Sequence, residues 1–150
     1  MTNGLREDKL MFKRVPVLMY HSIEPEGSPR VYEEEKFYNV TPEAFRKQMS
    51  YLKDNGYTPV SLDAFMKFVN MEKLDGLGDN PVLLTFDDGH ISHYERALPI
   101  LREFGFSGLF FLVVNDVGKK NRITWAQARL MQGAGMDIGS HSMNHKILKK

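Results

Sequence analysis

Short apolar runs alternate along the chain with polar stretches whose hydrophobic residues recur at helical spacing. Val15-Pro-Val-Leu-Met-Tyr20 is the first run. A polar stretch from His21 to Asn39 follows it, containing Pro25, Gly27, Ser28 and Pro29, so the pair predicts a strand feeding a long loop. A helix is expected next. Thr41 suits the N-cap, Pro42 the first helical position, Phe45, Met49 and Leu52 the buried stripe, and Gly56 a left-handed stop. Ser61 caps a shorter helix bearing Leu62, Phe65, Met66 and Val69, and the Gly/Asp/Asn-rich segment from Asp75 to Asn80 breaks the chain. Pro81-Val-Leu-Leu-Thr-Phe86 has the near-continuous apolar character of a strand buried on both faces, and it runs into Asp87-Asp88-Gly89.

Ser92 and Glu95 have capping-box spacing ahead of Ala97, Leu98, Ile100, Leu101 and Phe104, with Gly105 as the stop. Pro99 inside this pattern implies a kink or a later start. Gly108 to Val114 is the next buried strand. Thr124 and Gln127 form a second capping box before Ala128 and Met131, in a helix ending near Gly133 or Gly135, and Met136 to Ser140 is a short strand running into His141. Strands thus alternate with helices, which predicts an α/β fold with a parallel sheet, part of a (β/α) barrel. Residues 1–14 form a polar extension and 15–150 a single domain.

The 150 residues, 42% hydrophobic and 26% charged, suit one soluble core. A net charge of +1, with basic runs only at Lys119-Lys120 and Lys149-Lys150, offers no stripe for a nucleic-acid backbone. Cysteine is absent, which removes disulfides, thiolate nucleophiles and cysteine-type zinc sites, so a metal must use His, Asp or Glu. The first fourteen residues are polar, and the run from Val15 is too short for a signal-peptide core or a membrane span. Taken as it stands, the sequence reads as cytoplasmic.

In parallel β/α folds, sites gather where strands end at their C-terminal edge. Three predicted strands end in polar residues: Tyr20-His21, Asp87-Asp88 and His141 to His145. Two histidines four residues apart share a face if that stretch makes a helical turn, and an aspartate from a neighbouring strand end can complete an open metal site. Asp-Asp-Gly by itself is usually a turn, and His-x-x-x-His by itself usually two solvated histidines. Their joint placement after buried strands favours a site. Tyr20 and His21 are candidates for touching substrate. His90 and His93 are read as structural, with His93 inside a capped helical turn, and Trp125 as packing rather than as a sugar platform. Thr85 and Ser142 are expected to hydrogen-bond locally and orient the ligands.

Thr85-Phe-Asp-Asp-Gly89 and His141-Ser-x-x-His145 resemble the two signatures of the polysaccharide deacetylases, carbohydrate esterases with a NodB-type domain. The text between is similar too: Tyr94-x-x-Ala-Leu-Pro-Ile-Leu101, Phe110-Phe-Leu112 and Gly135-x-x-Ile-Gly-Ser-His141. Pro16-Val-Leu-Met-Tyr-His21, Thr41-Pro-Glu-Ala-Phe45 and Leu52-Lys-x-Asn-Gly-Tyr57 are similar to the branch containing poly-N-acetylglucosamine deacetylases.

The resemblance implies a distorted NodB-type barrel, with Asp88, His141 and His145 holding a divalent metal, expected to be zinc. Asp87 would be the base that takes a proton from the attacking water. The implied substrate is an N-acetylated (or O-acetylated) polysaccharide or amino sugar. The family's later segments, an Arg/Pro stretch, an Asp/Trp stretch and a Leu-x-His whose histidine is the general acid, have no counterpart before Lys150. The chain therefore reads as the N-terminal portion of the domain, cut after the second signature, with an unpaired strand edge through which copies could associate. Two alternatives stand beside the deacetylase: an inactive metal- and glycan-binding remnant, and a small-molecule amide hydrolase on the same scaffold.

Overall fold

The structure is a computed structural model that describes residues 14–31, 33–70 and 77–146, so the polar extension, apart from Arg14, lies outside the described residues, as do Asp75, Gly76 and the Lys149-Lys150 pair. The strands are β1 (Val17–Tyr20), β2 (Ser22–Ile23), β3 (Asn39–Val40), β4 (Tyr57–Pro59), β5 (Asn80–Phe86), β6 (Leu109–Leu112) and β7 (Asp137–Ser140). The α-helices are α1 (Pro42–Asp54), α2 (Leu62–Val69), α3 (Leu98–Phe104) and α4 (Trp125–Gly133).

Every pairing of these strands among the described residues is parallel, as the alternation of strands and helices predicts. The main sheet runs β1-β5-β6-β7, and β4 adds to the first half of β5, Tyr57 opposite Asn80 and Pro59 opposite Val82. Tyr20 lies opposite Phe86, Phe86 opposite Phe110, and Leu112 opposite Ser140, so these strands finish along one edge and the loops after them leave together.

The pleat divides β5 between two environments. Val82, Leu84 and Phe86 face the helices, where α1 contributes Phe45, Met49 and Leu52, α3 Leu98, Ile100 and Leu101, and α4 Ala128 and Met131. Leu83, Thr85 and Asp87 face an open groove shared with Val17, Met19, Leu109, Phe111 and the α2 residues Leu62, Phe65 and Met66. Aromatic stacking knits the helical side. Phe86 lies 4.4 Å from Phe110 at an interplanar angle of 12°, and 5.3 Å from Tyr20 at 21°.

The caps explain where helices start. Thr41 Oγ1 accepts from the Ala44 N–H and Ser61 Oγ from the Ala64 N–H, each at 3.2 Å, and Thr124 with Gln127 forms the full reciprocal box. Such caps are worth about 1 kcal/mol each.

The box expected at Ser92 and Glu95 does not form. Ser92 Oγ instead accepts the Ile23 N–H at 2.9 Å and bonds His90 Nδ1 at 2.8 Å, while Glu95 pairs with Arg30. His93–Ala97 is a π-turn in which the Leu98 N–H reaches back to the His93 carbonyl, and the α-helix begins only at Leu98. Pro99 favours this later start, because its ring lacks an N–H and crowds the carbonyl four residues back. The polar stretch after β1 is also more ordered than a loop. It holds the β2-β3 pair and a 3₁₀ turn at Glu33–Tyr38, and its buried Glu24 sits 3.6 Å from Arg30 and 3.4 Å from Arg96. β4 was not expected, being too short to show a period. Among the described residues no helix is long and apolar enough to cross a membrane.

Two glycines should respond oppositely to alanine. A Cβ on Gly108 would lie 2.9 Å from the buried Phe86 ring, whereas one on Gly133 meets nothing within 4 Å. Gly108→Ala is expected to lower stability by about 1–3 kcal/mol through overpacking. Gly133→Ala should raise it by roughly 0.5–1 kcal/mol through helix propensity. Urea midpoints at constant m-value check both.

His93 should make the fold acid-sensitive. It is fully buried, and that burial pushes its imidazole from the ordinary 6.5 down to about 3. The unfolded chain therefore binds a proton that the folded chain refuses. The associated stability is complete above pH 6.5 and drains as the pH falls toward 3, by at most roughly 1.4 kcal/mol per pH unit. Wild type should lose more stability than His93→Gln between pH 7 and pH 5, and equal losses would exclude His93 as the source.

Candidate metal centre

Asp87 and Asp88 follow β5 directly, and the backbone between them separates their roles. Asp87 continues the alternation of Leu83 and Thr85, and its N–H still completes the ladder to the Tyr20 carbonyl at 2.8 Å. Asp88 leaves the strand with φ 71°, a left-handed conformation that aspartate tolerates better than most residues, and Gly89 follows at φ 65°. This turn swings the Asp88 carboxylate away from that of Asp87. His141 extends β7 by one residue, its N–H bonding the Leu112 carbonyl at 2.7 Å.

The segment after His141 is not helical. Ser142 and His145 both have positive φ, 66° and 50°, and Ser142 Oγ accepts the His145 N–H at 3.0 Å. Backbone bonds from Val114 and Asn115 to the carbonyls of Ser142 and Met143 hold this turn against the segment after β6. Asn115 also donates a side-chain bond to Asn144. The imidazoles therefore meet by a left-handed turn, with ring centroids 4.8 Å apart.

Asp88, His141 and His145 come together with ligand atoms all within 4.8 Å of one another. Nε2 of each histidine lies 3.4 Å from the same Asp88 Oδ1. Donors each 2.0–2.1 Å from a tetrahedral ion are themselves separated by roughly 3.3 Å, so the spacing fits three ligands around one cation. Asp88 Oδ1 is also buried without any hydrogen-bond partner, which is the state of an oxygen reserved for a cation. The donor set of two imidazoles and a carboxylate suits zinc-like divalent ions.

Asp87 stands outside this trio. Burial pushes its carboxyl above the usual carboxylate range, against the pull of His141 and His21, while Asp88 adds to the rise. A cleft of about 290 Å³ opens beside the trio, lined by His21, Tyr38, Asp88, Val113, Asp116, Arg122 and His145.

Of the two residues expected to touch substrate, only His21 faces this cleft, its ring 4.9 Å from that of Tyr38. Tyr20 is the next residue on the pleat and so points the other way. It is 7% exposed in the helical core, its hydroxyl donates to Gln48 Oε1 at 3.0 Å, and burial raises its phenol to about 12. Ser142 makes the expected local bond at the ligand turn, and Thr85 lies one pleat before Asp87. His90 is buried, bonded to Ser92 and the Arg30 carbonyl. Trp125, half exposed at the start of α4, lines none of the cleft. Tyr38, Asp116 and Arg122 carried no signal in the sequence, since they lie in short 3₁₀ turns and an isolated bridge, too short for a period to mark a facing direction.

Residues 75–150 match the family described as polysaccharide deacetylase. Among curated relatives, YxkH of Bacillus subtilis, a candidate polysaccharide deacetylase by name, is 32% identical over 88% of this chain and 43% of its own length. The poly-beta-1,6-N-acetyl-D-glucosamine N-deacetylase of Escherichia coli K12 is 36% identical over 85% of this chain and 20% of its own length. The chain thus spans less than half of either relative. Among solved structures, the Streptococcus pyogenes deacetylase PplD, in complex with acetate, superimposes with a TM-score of 0.76 at 28% identity, over 89% of this chain and 58% of that one. The fold is part of a NodB-type (β/α) barrel, and the chain belongs to the polysaccharide deacetylase family.

Proposed function

We propose that this protein is a metal-dependent deacetylase that hydrolyses the N-acetyl groups of an amino-sugar polysaccharide, with Asp88, His141 and His145 as metal ligands and Asp87 as base. The observation that carries this is the buried Asp88 Oδ1, which makes no hydrogen bond yet lies 3.4 Å from both imidazoles, with a second carboxylate beside it that belongs to no ligand set. The name of the Escherichia coli relative, a poly-beta-1,6-N-acetyl-D-glucosamine N-deacetylase, supports the substrate class.

When bound, a zinc ion would polarise the acetyl carbonyl and make water nucleophilic near neutral pH. The chain's own residues then divide the proton traffic. Asp87, held above the usual carboxylate range by burial, takes the proton of the attacking water as its oxygen bonds the acetyl carbon. The C–N bond breaks, acetate forms, and the amine nitrogen needs a proton as it leaves. His21 is the donor in this reading, because its imidazole shares the cleft with Asp88 and His145. His93 is unsuited to that task, being wholly buried with its Nε2 committed to the His21 carbonyl. Tyr38 gives the cleft an aromatic wall.

Metal content after dialysis tests the ligands. His141→Ala, His145→Ala and Asp88→Asn should each lower zinc stoichiometry, and retention at wild-type levels in both histidine variants would sink the assignment. In the full-length protein, Asp87→Asn should keep its metal while turnover of β-1,6-linked N-acetylglucosamine oligomers falls by roughly 10² or more.

His21→Ala should also retain metal and lose about 10²-fold or more in kcat. Its residual activity should lack the alkaline decline that loss of a donor proton imposes on wild type. Faster turnover of small non-sugar amides than of the oligomers would replace the substrate class.

A further inference from the structure

We infer that His93 is a positioning residue for the reaction, holding the His21 backbone so that the His21 imidazole stands over the metal cleft. The inference rests on the reading of His21 as proton donor. It starts from a polar side chain that packing alone does not explain. His93 is 0% exposed, set against Phe86 and Phe110 with ring centroids 5.6 Å from each. An apolar ring would fill that space without leaving a polar atom stranded, yet His93 Nδ1 is buried with no partner. An unpaired buried acceptor is a standing cost, so the imidazole is kept for what its other nitrogen does.

That nitrogen bonds the carbonyl of His21. A carbonyl only accepts, so Nε2 carries the hydrogen and His93 is a neutral donor. Two further bonds run between the same pair of segments, from the Ile23 N–H to Ser92 Oγ at 2.9 Å and between His90 Nε2 and the Arg30 carbonyl at 3.1 Å. The loop after β1 is thereby seated on the turn that follows Asp87-Asp88-Gly89, and His21 occupies the point where the seat and the cleft meet. The strand ladder on β1 ends with the Asp87 N–H on the Tyr20 carbonyl, so at His21, one residue on, the backbone carbonyl is held by His93 instead.

The test uses the full-length zinc-loaded protein and a β-1,6-linked N-acetylglucosamine oligomer. His93→Phe keeps the packing and loses the donor, and His93→Gln keeps an N–H that reaches the carbonyl. His93→Asn is polar but too short. His93→Phe and His93→Asn are expected to lose kcat on the order of 10²-fold, the scale of poor positioning, with KM and zinc content unchanged. His93→Gln should recover most of that loss. The alkaline limb of the kcat/KM profile should move in His93→Phe and stay in place in His93→Gln.

Full kcat with an unmoved profile in His93→Phe overturns the inference. If that variant does not fold, equal kcat in His93→Gln and His93→Asn overturns it instead. His21→Ala at wild-type kcat would remove the reading of His21 itself. An inactive His21→Ala beside a fully active His93→Phe removes only the positioning role.

Discussion

A strand cannot send neighbouring side chains to the same face, and the site depends on that constraint in β5. Because Val82, Leu84 and Phe86 are committed to the helical core, Leu83, Thr85 and Asp87 must face the groove. Asp87 is therefore aimed by the packing of Phe86, stacked between Tyr20 and Phe110. Shifting the register by one residue would bury the carboxylate among aromatic rings and expose a phenylalanine. The parallel pairing of β5 with β1 and β6 fixes that register, and with the β6-β7 pairing it brings the polar ends of β1, β5 and β7 to one edge.

Much of this was legible in the sequence wherever a pattern was long or a cap was local. The stripe of Phe45, Met49 and Leu52 and the Thr124-Gln127 box appear as read, because helical spacing and capping depend on residues close in sequence. The clustering of Asp88, His141 and His145 was legible because the segments that carry them follow predicted strands, β5 and β7, that end on one edge. Legibility failed where a distant residue competed for a local group. Ser92 has the spacing of a cap, but the Ile23 N–H, 69 positions away in sequence, takes its hydroxyl. Tyr20 looked like a site residue because it ends a strand, and a one-residue difference in pleat gives that place to His21. β4 and the β2-β3 pair are too short for any period to show.

The polar residues around the turn after β5 form one connected structure. Glu24, nearly inaccessible, draws in Arg30 and Arg96. Arg30 in turn reaches Glu95 on the π-turn, and its carbonyl receives His90. Buried charges of this kind add little net stability relative to apolar packing, but breaking one partner leaves the other stranded. The result favours a single arrangement of the segment that carries His21 over a range of loosely packed ones. A loop rich in proline and glycine is thereby given the definition of a secondary-structure element.

Four non-glycine residues have positive φ among the described residues, and three of them are Asp88, Ser142 and His145. This couples coordination chemistry to backbone shape. Any replacement at position 88 must accept a left-handed conformation as well as keep its carboxylate beside the two imidazoles, a demand that glutamate meets less readily than aspartate. Change at this site would then proceed more easily through residues around the trio than by exchanging its members. The turns that build the site thus also narrow the set of mutations through which it can change.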